Sequence, residues 1–103
     1  MSKRKHPKGW LIDPQQIDAW LVKVADQVRD ENFKGAIRTC KRILRYLPKK
    51  DPVRAEPLGY LGIAYAVQKD FENACQTLDQ AIKITPDDSY LWFNYGLACL
   101  HTS

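Results

Sequence analysis

The chain has 103 residues, 45% of them hydrophobic and 27% charged, with a formal net charge of +4. That length supports one elongated core but not two, and the apolar share excludes disorder across the body. No apolar run approaches the roughly 20 residues of a membrane span. No apolar segment of a secretory signal follows the Lys/Arg-rich N-terminus, so a cytoplasmic protein without membrane contact is expected.

Residues 1–12 are expected to form a basic, flexible tail ahead of a folded domain over 13–103. Asp13-Pro14 supplies a helix N-cap and a first helical residue, with Gln16 completing a capping box and Ile12 stapling to Ile17. Trp20, Val24 and Val28 continue one apolar face and carry the first helix to about Arg29. Asn32-Phe33 opens a second helix, whose stripe of Ile37, Cys40, Ile43, Leu44 and Leu47 runs to Pro48. Lys49 to Glu56 is an insertion. A third helix is expected from Ala55 to about Val67, with Pro57 in its first turn, where a missing N–H does no harm. Asp70-Phe71 opens a fourth helix, which closes at Thr85-Pro86, and Asp87 and Asp88 cap and charge the start of a fifth.

These elements repeat. Leu58 to Trp92 and Gly62 to Gly96 are each 34 residues apart, and Ala36, Cys40, Ile43 and Pro48 precede Ala74, Leu78, Ala81 and Pro86 by 38 because four residues are inserted near Asp51–Arg54. A fixed period of this size marks stacked helical hairpins, none of which can bury its apolar face alone. Leu58, Leu61, Gly62, Tyr65, Ala74, Leu78, Ala81 and Pro86 follow the order W-x2-L-G-x2-Y, A-x3-F, P, so the chain resembles the tetratricopeptide repeat family from about Ile17 to His101. The resemblance implies an all-α solenoid of about two and a half hairpins, five helices in a right-handed superhelix. The repeats would span about 17–50 and 55–88, with a half-repeat at 89–103. Gly62 and Gly96 lower helix propensity and are tolerated if a neighbouring helix approaches closely there.

The resemblance also implies a function, non-catalytic protein–protein interaction as an adaptor or scaffold. In this family the first helix of each repeat lines an inner groove, which here places Leu21, Val22, Ala25, Tyr60, Ile63, Tyr90, Phe93, Asn94 and Leu97 toward a bound peptide or helix. Family members that clamp acidic chaperone tails carry Lys and Arg along this face. Here there is none, so that partner class is disfavoured. The fifth helix is apolar on every side, and Trp92, Tyr95 and Cys99 fall where a further helix would pack. Either the repeats continue beyond this sequence, or another copy of the chain covers the face in a homo-oligomer, or the patch stays bare. Head-to-tail pairing of the basic first half with the acidic second half is a further arrangement.

Charge is polarised: residues 1–54 hold 14 Lys/Arg against 6 Asp/Glu, and residues 55–103 hold 2 against 6. Lys34, Arg38, Lys41, Arg42 and Arg45 form one stripe on the second helix, and Lys3, Arg4, Lys5 and Lys8 add a basic tail. Such a stripe is ordinarily a solvated outer face. Its functional alternative is salt-dependent attraction to nucleic acid or an acidic partner.

No catalytic constellation, phosphate loop or cofactor motif is present. Cys40, Cys75 and Cys99 are widely spaced and, with His6 and His101 near opposite ends, suggest no metal site. All three are expected to be reduced packing residues, as suits the cytoplasm.

Overall fold

A computed structural model describes residues 7–102. Five helices follow in order: α1 (Pro14–Arg29), α2 (Phe33–Tyr46), α3 (Ala55–Val67), α4 (Phe71–Ile84) and α5 (Ser89–Leu100), with a 3-10 turn at Pro52–Arg54 leading into α3. No strand occurs among the described residues. Each helix packs mainly on its chain neighbour, while α1 and α5 also touch α3, so successive hairpins stack into an elongated body of 45 × 28 × 21 Å.

Local chemistry sets the helix ends. Asn32 and Asp70 each accept a hydrogen bond from the backbone N–H three residues on, at Gly35 and Asn73, and so start α2 and α4. Asp88 accepts from Tyr90 and Leu91 at the head of α5. Asp13 caps α1 through the N–H of Gln15. The turns after α1 and α3 are identical in design: Asn32 N–H donates to Gln27 O and Glu31 N–H to Val28 O, as Asp70 donates to Tyr65 and Lys69 to Ala66. This leaves Glu31 and Lys69 left-handed, at φ 61° and 64°. The inserted segment is also ordered. Asp51 caps the 3-10 turn through Val53 N–H, and the Arg54 guanidinium donates to the carbonyls of Leu44 and Leu47, closing the C-terminal end of α2.

The interior is continuous. Ile17, Val24, Ala36, Cys40, Ile43 and Leu61 form one buried cluster, and Leu58, Ala74, Leu78, Ala81, Leu91 and Ala98 a second; Leu44 and Tyr65 pack against both. Trp20 lies on the first cluster and Leu58 is buried in the second, as the period requires. A Cβ on Gly62 would lie 2.5 Å from Leu78 Cγ, which is the close approach of α3 and α4 expected at that glycine. In the first hairpin the tight contact moves to α2: a Cβ on Gly35 would fall 2.8 Å from the amide nitrogen of Gln27.

Three expectations need correction. Residues 1–12 do not all lie outside the folded body, because Trp10 is buried in the first cluster and its indole N–H donates to Asp51 Oδ2 at 2.6 Å. Lys3, Arg4 and Lys5 lie outside the described residues. Gly96 does not meet a facing helix, since a Cβ there would find nothing within 4 Å. The cysteines are not all reduced. Cys75 on α4 and Cys99 on α5 have Cα atoms 5.3 Å apart and form a disulfide, which leaves Cys40 as the free cysteine. The antiparallel pairing of α4 and α5 brings together two positions 24 residues apart. With that bond, cysteine usage no longer argues for a reducing compartment. No helix among the described residues is long and apolar enough to cross a membrane.

Candidate functional site

The first helices of the three hairpins, α1, α3 and α5, converge on one open cleft of about 560 Å³. Its wall is built by periodicity. Leu21 comes from α1, Tyr60 and Ile63 from α3, and Tyr90 and Leu91 from α5. Asp18, Glu56 and Asp88 contribute carboxylates to the lining, which contains no Lys or Arg. Burial raises the Tyr60 phenol above its ordinary pKa, and the Glu56 carboxylate and Cys40 add to the shift.

Four of the nine groove residues expected from sequence line this cleft: Leu21, Tyr60, Ile63 and Tyr90. The other five do not. Val22, Phe93 and Leu97 are exposed outside it, and Ala25 is half-buried. The Asn94 amide donates to Tyr90 O at 2.8 Å and is occupied on its own helix. Sequence reasoning missed Pro52 and Val53 from the insertion and Thr85 from the turn before α5. Val53, an isolated apolar residue between two prolines, was the available signal.

At the end of the stack the expected interface residues separate. Trp92 is exposed on one side, but its indole N–H donates to Pro86 O at 2.7 Å and its ring meets Tyr95 edge-on at 6.0 Å. Tyr95 packs on the second core cluster, and Cys99 is bonded to Cys75, so neither forms the outer surface. Phe93, Leu97 and Leu100 do, and His101 stacks on Phe71 at 4.2 Å, pinning the end of α5 to the start of α4.

Lys34, Arg38, Lys41, Arg42 and Arg45 are all exposed along α2, and none forms an ion pair among the described residues. Arg42 lies over the Trp20 ring at 5.7 Å and Lys41 over Tyr65 at 5.8 Å. Among the described residues, no group of three or more His, Cys, Asp and Glu could hold a metal ion.

Stacked antiparallel hairpins around one interior, with a cleft along their first helices, define a helical-repeat protein of the α-solenoid class. Residues 55–88, about a third of the chain, match the tetratricopeptide repeat. The match covers the second hairpin, α3 and α4, with the loop that follows. No curated protein matches the sequence. Tetratricopeptide repeats generally mediate protein–protein interaction and are typically non-catalytic.

Proposed function

We propose that the chain is a non-catalytic adaptor or scaffold module that holds an apolar peptide or the apolar face of a helix in the cleft between α1, α3 and α5. The observation that carries this is the convergence of Leu21, Tyr60, Ile63 and Leu91 on one open apolar wall supplied by three successive hairpins. The rim carboxylates Asp18, Glu56 and Asp88 repel an acidic ligand and favour a neutral or basic segment. Selection of displayed peptides on the immobilised chain, followed by calorimetric titration of the best one, tests the proposal. Tyr60→Ala combined with Leu21→Ala removes two wall contacts and should weaken binding at least tenfold, about 1.4 kcal/mol, with the helical circular dichroism retained. Equal affinity for the double variant would remove the cleft as the binding site.

A second reading rests on the five exposed cations of α2, none of which forms an ion pair among the described residues. If all five contacted phosphates of a duplex, affinity should fall by roughly two to three decades between 50 and 200 mM salt. Fluorescence titration with a short DNA or RNA duplex decides this, and absence of binding at the lower salt ends it.

A further inference from the structure

The outward face of α5 offers a surface that the cleft does not use. Phe93 is 65% exposed, Leu97 46%, Leu100 70% and Trp92 48%. Phe93, Gly96, Leu97 and Leu100 recur at the spacing of one helical stripe. Gly96 lies near the middle of it. One period earlier, Gly62 is the notch into which Leu78 fits, with a Cβ-to-Cγ separation that would be only 2.5 Å. At Gly96 the same notch is open, with nothing within 4 Å of a Cβ. Packed helices approach most closely where such a small residue sits at the crossing point.

We propose that this face pairs with the same face of a second copy of the chain, through an antiparallel crossing of two α5 helices at Gly96. Charge favours a like partner. From Ser89 to Leu100 there is no Asp, Glu, Lys or Arg, so a two-fold pairing opposes no like charges, and a charged partner would find no countercharge on the helix. The same neutrality disfavours head-to-tail assembly, which would have to join the basic first half to the acidic second half. Area is sufficient. Four large apolar side chains at these exposures present on the order of 500 Å². Two copies bury roughly 1,000 Å², the threshold of a specific interface and less than the standard size. An interface of this size suits a weak, reversible dimer. The brace behind α5 suits this use, because the Cys75–Cys99 bond and the Phe71–His101 stack hold the helix against α4 while its outer side stays clear.

Sedimentation equilibrium of the 103-residue chain between about 1 and 500 µM tests the proposal. The weight-average mass should rise from one chain to two and stop there. Phe93→Asp and Leu97→Asp, both at exposed positions, should each move the midpoint at least tenfold higher with unchanged circular dichroism, while Tyr60→Ala in the cleft should leave it in place. A single-chain mass throughout overturns the proposal. Growth beyond two chains points to a head-to-tail contact and overturns it as well. A dimer that persists as a covalent pair under non-reducing denaturing conditions is an interchain disulfide, and a dimer indifferent to both aspartates uses another face. Either result rejects the α5 pair.

Discussion

Gly62 and Gly96 occupy the same repeat position one period apart, and alanine at the two sites should shift stability in opposite directions. In either helix, replacing Gly by Ala contributes about 0.8–1.0 kcal/mol through helix propensity. At Gly96 nothing opposes the gain, because the new methyl enters open space. Gly96→Ala should therefore stabilise by about 1 kcal/mol. At Gly62 the methyl would lie 2.5 Å from Leu78 Cγ and 2.6 Å from its Cδ2, and Leu78 is fully buried. Overpacking of this kind typically costs about 1–3 kcal/mol, and two sub-van der Waals contacts with a core leucine belong in the upper part of that range. The net loss for Gly62→Ala is then about 1–2 kcal/mol, which separates the variants by about 2–3 kcal/mol. For a domain of this size that gap corresponds to roughly 10–20 °C in Tm. Urea denaturation followed by circular dichroism, repeated at two protein concentrations so that any α5 pairing shows as a shifted midpoint, measures both variants with a common m value as the control. A stabilised Gly62→Ala, or a destabilised Gly96→Ala, would mean that α3 and α5 do not have the neighbours described.

Glu31→Gly and Lys69→Gly should each stabilise by about 0.5–1 kcal/mol in the same assay, because both residues hold a left-handed backbone that glycine adopts without steric cost. Asp51→Ala should lose about 1.5–3 kcal/mol by removing a charged acceptor of the Trp10 indole, and the accompanying change in Trp fluorescence reports the release of Trp10. A thiol assay on the unreduced chain should find one reactive cysteine, Cys40, and only after unfolding. Reduction, which opens a 24-residue separation, should lower stability by about 3 kcal/mol. Burial pushes the Cys40 thiol up to about 12 from an ordinary 9.0, so the folded chain keeps a proton that the unfolded chain releases. Its contribution is intact below about pH 9 and is lost as pH rises toward 12. Cys40→Ala should flatten the stability profile in that window relative to the parent.

Where the sequence was legible, a periodic signal and a local cap agreed. Asn32 and Asp70 each stand one residue before a helix whose apolar stripe repeats, Asp88 stands one residue before α5, and all three helices begin there. Trp20, Leu58 and Leu78 fall inward because the period places them there. What escaped depended on contacts between segments without a common period. Trp10 precedes the first repeat, and its acceptor, Asp51, lies 41 residues on in an insertion that reads as a spacer. Cys75 and Cys99 become neighbours only through the antiparallel turn between α4 and α5. In the cleft, Leu21, Tyr60, Ile63 and Tyr90 were accessible to wheel geometry. Phe93 and Leu97 were misplaced because α5, apolar on every side, gives no amphipathic cue to its orientation.

The four extra residues near Asp51 interrupt the period and thereby give the stack a mooring for its leading edge. A solenoid with strictly equal hairpins would present only a short turn at this point, with no carboxylate to meet an indole from outside the array. Consensus engineering that trims the segment to a uniform 34-residue spacing would tidy the repeat but cast off Trp10, laying bare the flank of α1 and α2 that it shelters.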